Sequence, residues 1–331
     1  MKAFAYVNAA NQQEALAALS TATRGRRLPL AGGTDLLGLM KDYVAEPDVL
    51  VNVKNLPAGI AVPAQGLAVI GAAATLTDVA DHAALAKTYP ALTDAARGVG
   101  TPQIRNVGTV GGNLMQRPRC WYFRNEEFHC LKKGGARCFA VEGENQYHAI
   151  FGDGPCHIVH PSSLAPPLIA YNARIKVAGP QGEREIEAGT FFLMPDRNMF
   201  GETVLEPTEL VTEVVIPTPR NVSAATYEVK FKQSHDWSIV TASVALRMSG
   251  GGGGVVESAR VVLGAVAPVP WRSLPAEQML KGKRVDEAVA WQAAEAALAD
   301  ARPMSGNGYK VQVAKTALRR AIMKATGAKV V

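Results

Sequence analysis

Cys120, Cys130, Cys138 and Cys156 are the chain's only cysteines, and all four fall within residues 120–156 of a 331-residue sequence. Confinement to so short a window indicates that they act together on one object: a metal cluster, a zinc ion or a pair of disulfides. Nine, seven and seventeen residues separate them. That spacing matches neither the paired cysteines of small zinc modules nor the tight run of bacterial ferredoxins. It suits a long loop folded around its ligand. A cluster held by four thiolates carries net negative charge, which cations and backbone N–H groups stabilise. Arg117, Arg119, Arg124, Lys132, Lys133 and Arg137 are the candidate cations, and Gly134 and Gly135 permit close backbone approach. On the residues alone an iron–sulfur cluster, structural zinc, and disulfides or unlinked core thiols all stay open, in that order.

Two glycine-rich stretches precede the window. In the first, a short strand of Leu28, Pro29 and Leu30 runs into Ala31, Gly32, Gly33, Thr34 and Asp35, and Leu36 begins a helix extending to Lys41. Adjacent glycines let the backbone turn tightly and present successive N–H groups, and Thr34 or Asp35 is placed to cap the helix. Strand, glycine turn and helix start together suit a pyrophosphate. The pattern is not GxGxxG, so the nucleotide-binding Rossmann form is not indicated. Taken alone, such a turn is usually only a turn. The second stretch, residues 100–114, interleaves Thr101, Arg105, Asn106, Thr109 and Asn113 with glycines that include Gly112. It reads as a donor-rich loop rather than a packed helix. Two such loops make a dinucleotide credible, one for its phosphates and one for a ring system.

The remaining elements are the scaffold. Residues 11–20 have helical spacing, with a stop near Thr23-Arg24-Gly25. Strands are expected over 49–53, 59–62 and 67–74, followed by a helix opening at Thr77 or Asp78 that runs through His82 to Lys87 and carries His82 on its surface. Another helix spans 89–98. Beyond the cysteines, Ser162 and Ser163 open a segment leading into strands at 173–177 and 184–186. Pro217-Thr218-Pro219 marks a boundary. After it, strands at 225–232 and 239–247 are separated by residues 233–238. The glycine run 250–254 forms a hairpin tip, since no Lys-Ser/Thr follows to make it a phosphate loop, and a third strand covers 255–266. Helices at 285–301 and 309–325 complete a small α+β domain, an antiparallel sheet with helices on one face.

Hydrophobic content of 48% and charged content of 19% are those of a globular protein with room for two or three cores. The formal charge of +6 is dispersed and aromatics are 6%, which argues against a nucleic-acid role. Asn8, Asn11 and Glu14 interrupt any apolar run at the N-terminus, and no segment reaches the ~20 apolar residues of a membrane span. The expectation is a protein that is cytoplasmic at synthesis, where disulfides are disfavoured. Export with a signal-bearing partner would leave no trace in this chain.

With AGGTDLL at 31–37, TVGGNL at 109–114 and the cysteine window in view, the chain resembles the FAD-binding medium subunit of the molybdenum hydroxylases, the xanthine dehydrogenase family. The similarity spans essentially the whole chain. It implies a p-cresol methylhydroxylase (PCMH) type FAD-binding domain over residues 1–220 and a CO dehydrogenase flavoprotein-like C-terminal domain over 221–331. Most of the family pass directly from the GGNL loop to the segment here reading HPSSLAP. This chain inserts about forty residues, roughly 115–160, and so resembles the branch whose flavin subunit holds an extra [4Fe–4S] cluster, as in periplasmic-type aldehyde oxidoreductases and 4-hydroxybenzoyl-CoA reductase.

The resemblance assigns Cys120, Cys130, Cys138 and Cys156 to that cluster. It assigns residues 28–36, Thr109, Gly112, Asn113, Ser163 and Lys230 to FAD. Ser163 stands where the family usually has an aspartate, so a charge-assisted contact is replaced by a hydroxyl. The implied partners are a large molybdenum-cofactor subunit and a small subunit with two [2Fe–2S] clusters, as a heterotrimer or its dimer. In that assembly the large subunit oxidises an aldehyde or heterocycle and FAD receives the electrons, so no catalytic side chain is expected here. The alternatives are a free-standing flavin oxidoreductase with a zinc loop, and a scaffold subunit without FAD.

Overall fold

The structure, a computed structural model, describes residues 1–20, 25–231, 235–249 and 254–328. Its first unit is a three-stranded parallel sheet made by β1 (Ala5–Asn8), α1 (Gln12–Ser20), β2 (Arg27–Leu30), α2 (Leu36–Lys41) and β3 (Val49–Asn52), in the order β1-β3-β2. Val7 pairs with Val51 and Leu28 with Leu50. β2 lies at the edge, where Pro29, lacking an N–H, is tolerated. Ala15 and Leu19 of α1 pack on Val51 and Leu56 in one small core, and Leu39 and Met40 of α2 share another with Phe123 and Cys130.

Next come β4 (Ile60–Ala61), β5 (Leu67–Gly71) and the helices α3 (Leu76–Asp81), α4 (Ala83–Thr88), α5 (Pro90–Gly98), α6 (Pro102–Val107) and α7 (Val110–Leu114). Side-chain caps set these boundaries, and they correct two expectations. The helix expected to start at Thr77 or Asp78 begins at Leu76, capped by Thr75: the Thr75 hydroxyl accepts from the Asp78 N–H and the Asp78 carboxylate accepts from the Thr75 N–H. It stops at His82, whose Nδ1 accepts the Leu85 N–H and caps α4, so His82 is a cap and not a helix-surface residue. The stretch expected as a loop folds into α6 and α7. Thr101 and Thr109 each accept an N–H of the following turn, from Ile104 and Gly112, which satisfies donors the short helices would leave open.

Past α7 the regular elements of the cysteine window are α8 (Trp121–Arg124) and one 3-10 turn, Leu131–Lys133. Then follow α9 (Ala165–Ala170), β6 (Arg174–Gly179), β7 (Gly182–Glu187), α10 (Ala188–Phe191) and β8 (Leu210–Pro217). A five-stranded antiparallel sheet forms in the order β4-β5-β8-β6-β7. Its middle strand, β8, escapes periodicity because residues on both faces are buried, leaving no apolar–polar alternation to read. Leu92 of α5, Leu168 of α9, Phe191 and Ile216 meet in the main core of this half.

The last part comprises β9 (Val222–Val229), β10 (Val240–Met248), β11 (Val256–Gly264), β12 (Trp271–Arg272), α11 (Leu274–Leu280), α12 (Glu287–Leu298) and α13 (Tyr309–Ala325), with sheet order β12-β11-β10-β9. Val244, Leu246, Val261 and Leu263 face the helices, where Ala293 and Ala297 of α12 and Ala314, Ala317 and Ala321 of α13 allow close packing. Ala245 and Val262, on the opposite face, belong to the core of the preceding half. The sheet expected to carry helices on one face is therefore covered on both, by α11–α13 and by α5 and α9. Ile150 and Phe151 of the cysteine window join the C-terminal core, and Phe151 stacks on Trp271 with ring centroids 4.9 Å apart. The window thus ties α2 at one end to the C-terminal sheet at the other. The expected helix stop at Thr23-Arg24, residue 232 at the end of the expected strand, residues 233–234 of the strand break and glycines 250–253 lie outside the described residues. No helix among the described residues is long and apolar enough to cross a membrane.

Candidate functional site

A cleft of about 550 Å³ opens between the N-terminal sheets and the end of β9, and its lining includes residues 28–36, Thr109, Gly112, Asn113, Ser163 and Lys230. The structure thus gathers on one surface the positions that sequence spacing and resemblance nominated from four distant stretches. The two glycine loops touch backbone to backbone. A Cβ on Gly32 would overlap the Val107 carbonyl, and Gly33 sits at φ 72°, in the left-handed region.

Asp35 does not do what was expected of it. It makes no side-chain cap on α2. Instead its Oδ2 accepts the Arg117 backbone N–H at 2.9 Å and its Oδ1 accepts from Arg124 Nη2 at 2.5 Å, with Arg119 Nη1 3.2 Å away. Arg117 and Arg119 lie just before Cys120 and Arg124 just after it. Burial and the neighbouring Arg124 lower the Arg119 guanidinium to about 10, against the pull of Asp35.

In the second loop, Asn113 Oδ1 accepts from Ser162 Oγ at 2.7 Å and from the Leu164 N–H at 3.3 Å, fastening the HPSS segment to the cleft. Thr101, Arg105 and Asn106, expected to offer donors, also bond within the chain. Thr101 caps α6, Arg105 Nη1 donates to the Val99 and Gly100 carbonyls at 3.0 Å, and Asn106 accepts from the Thr77 hydroxyl at 2.7 Å. Lys230 Nζ donates to the Gly98 carbonyl and lies 3.4 Å from Glu228. Burial raises the Glu228 carboxyl above the usual carboxylate range, opposed by the Ser238 hydroxyl and by Lys230. Sequence reasoning missed Arg26, Glu209 and residues 235–238 as cleft lining. Trp237 is the most telling of these, with the Arg119 guanidinium 3.8 Å above its ring. No local spacing announces such a contact between residues so far apart in sequence.

The four cysteines line a second, small cavity together with Tyr122, Phe123, Lys132, Phe139, His148 and His157. All four are free thiols. Burial pushes the Cys120 thiol up to about 12 and Cys156 to about 11. Among the described residues no three His, Cys, Asp or Glu side chains converge closely enough to share a single ion.

The candidate cations are less available to the thiols than their number promised. Arg117 Nε and Lys132 Nζ both pair with buried Glu202, at 2.6 and 2.7 Å, while Arg119 and Arg124 turn to Asp35. Lys133 donates to the Asn125 carbonyl, and exposed Arg137 lies over the Phe139 ring. Lys132 is the one whose charge bears on Cys156, lowering its pKa against the larger effect of burial. Gly134, at φ 88°, and Gly135, whose N–H donates to the Cys130 carbonyl, bend the chain around that cysteine. His148 Nε2 lies 3.3 Å from Cys120 Sγ, and burial, aided by Lys310, lowers its imidazole to about 4.

A half built of two small sheets, with paired glycine loops along an open cleft, followed by a sheet-and-helix domain, defines the class as a dinucleotide-binding flavoprotein unit. Residues 2–219 match the family of FAD binding domains in molybdopterin dehydrogenases, and residues 225–325 match the CO dehydrogenase flavoprotein C-terminal domain. The chain belongs to the FAD-binding medium subunits of the molybdenum hydroxylase family, and its relatives are oxidoreductase subunits. It is 32% identical to the aldehyde oxidoreductase FAD-binding subunit PaoB of Escherichia coli, over 98% of this chain and 99% of that one. With the carbon monoxide dehydrogenase medium chain of Hydrogenophaga pseudoflava it shares 27% identity, over 88% and 87% of the two chains. Among solved structures it superimposes on carbon monoxide dehydrogenase from that organism with a TM-score of 0.76 at 26% identity, covering 98% of each chain. Quinoline 2-oxidoreductase of Pseudomonas putida 86 gives 0.75 at 25% identity, covering 99% of each.

Proposed function

We propose that this chain is the FAD- and [4Fe–4S]-bearing electron-transfer subunit of a molybdenum hydroxylase that oxidises aldehydes or heterocycles. The observation that carries the reading is the convergence of all four cysteines on one buried cavity, in a segment that also grips the first glycine loop through Asp35. Four thiols lining one cavity are a donor set that an iron–sulfur cluster takes.

Residues 28–36 and Thr109, Gly112 and Asn113 would hold FAD by backbone and short side chains, with Ser163 and Lys230 on the walls. Bound FAD supplies a carrier able to exchange one or two electrons, and the cluster supplies a one-electron relay. The protein's own part is position and electrostatics. Gly32 lets the loops meet, Asn113 fixes the Ser162–Ser163 turn, and the Asp35 arginines set the distance between cleft and cavity. The functional units in this reading are residues 1–220, with the insertion at about 115–160, and residues 221–331. Electrons would arrive from a large molybdenum-cofactor subunit through a small subunit with two [2Fe–2S] clusters. Support for such partners lies in relatives described as medium chains and FAD-binding subunits.

Iron and flavin content of the natively purified protein, with any subunits that co-purify, tests the proposal. It expects flavin together with iron that disappears in Cys130→Ser or Cys138→Ser. Zinc in place of iron would return the chain to a flavoprotein with a structural loop.

A further inference from the structure

His148 is buried in an aromatic setting, its ring 5.6 Å from Trp121 and 6.2 Å from Tyr122. Its backbone is held firmly. The His148 carbonyl accepts from Lys310 Nζ at 3.0 Å, in the first turn of α13, and from Asn307 Nδ2 at 3.1 Å, just before it, and its N–H donates to the Asn145 carbonyl at 3.0 Å. The ring therefore has a fixed direction, and it directs Nε2 at Cys120 Sγ, 3.3 Å away. The other nitrogen, Nδ1, is buried without a hydrogen-bond partner.

A phenylalanine would fill the same slot without burying an unmatched nitrogen, which costs free energy. What the imidazole adds is one donor aimed at a sulfur. A neutral imidazole carries a single N–H, and a metal-bound thiolate only accepts, so the partner assigns the proton to Nε2.

We propose that His148 sets the potential of the cluster by donating its Nε2–H to the Cys120 sulfur. The inference rests on the cluster reading above. Reduction adds one electron and no proton to the cluster, and the added negative charge spreads onto the sulfurs. A donor at a ligand sulfur strengthens its bond in the reduced form and so raises the reduction potential. His148 acts through Cys120; it is a positioning residue, not an iron ligand.

The test is a potentiometric titration of the natively purified assembly, reading the electron paramagnetic resonance of the reduced cluster. His148→Phe should keep its iron and become reduced only at a more negative potential. His148→Gln, whose side-chain amide again offers N–H, should recover part of the shift. Equal midpoints in wild type and His148→Phe would overturn the proposal. Should His148→Phe fail to fold, wild-type protein labelled with 15N-histidine decides by electron spin-echo modulation. Weak nitrogen coupling to the reduced cluster is expected; its absence, or a coupling strong enough for direct ligation, overturns the proposal. Wild-type protein free of iron would instead overturn the cluster reading itself, and this inference with it.

Discussion

The glycine loops of the cleft meet through backbone and small residues, whereas the cysteine cavity is closed by side chains. In the cleft, Gly32 meets the Val107 backbone and threonines cap the short helices of the second loop. Around the cavity, buried Lys132 and Glu202, four thiols and three aromatic rings are held by contacts reaching far along the chain. The first kind of site depends on what a residue lacks, the second on what it carries. Asp35 belongs to both, a cleft residue whose ligands are arginines on either side of Cys120.

Gly32→Ala should separate the two sites most strongly. An added methyl would run into backbone that cannot step aside, a form of overpacking that costs about 1–3 kcal/mol. Flavin should be lost from the purified protein while iron stays, measured by absorbance and metal analysis on one sample. Loss of both in equal measure would mean that the two sites are not built separately. Asp35→Asn attacks the joint. It leaves Arg119 and Arg124 partly buried without their counter-charge, at a cost of about 3 kcal/mol, the low end for a buried pair. Denaturant unfolding should show that loss, and both flavin and iron occupancy should fall.

Acid should act through buried histidine. Burial lowers His160, packed 4.5 Å from the Phe192 ring, to about 3. The unfolded chain therefore binds the extra proton first. Stability from this residue is complete above the ordinary histidine value of about 6.5 and is lost as pH falls from there toward the folded value, at up to ~1.4 kcal/mol per pH unit. Unfolding free energies measured between pH 6.5 and 4.5 should decline, with a shallower slope in His160→Gln. The smallest effect is expected at Ser163→Asp, which restores the charge usual in the family. FAD should be held up to about tenfold tighter, some 1.4 kcal/mol, by dilution-release kinetics.

Glycine made the turns of the cleft legible, while the grouping of its residues came from the family resemblance. The pair Gly32-Gly33 announces a turn, and Pro29 is tolerated on the edge strand β2. Threonine caps were harder: Thr101 and Thr109 sit among glycines, and only the bonds to Ile104 and Gly112 convert an apparent loop into α6 and α7. β8 was illegible for the opposite reason, since a strand buried on both faces shows no alternation. The cysteines could be grouped from sequence, but the partners of the nearby cations could not. Nothing local tells Arg124 to reach Asp35, 89 residues away, or Lys132 to find Glu202.

Anomalous scattering from crystals of the natively purified protein, recorded at the iron and zinc edges, would identify what the four cysteines hold. A compact iron peak in the cavity bounded by Cys120, Cys130, Cys138 and Cys156, beside density for FAD along residues 28–36, is the predicted result. A zinc peak, or continuous disulfide density between the cysteines, would contradict it.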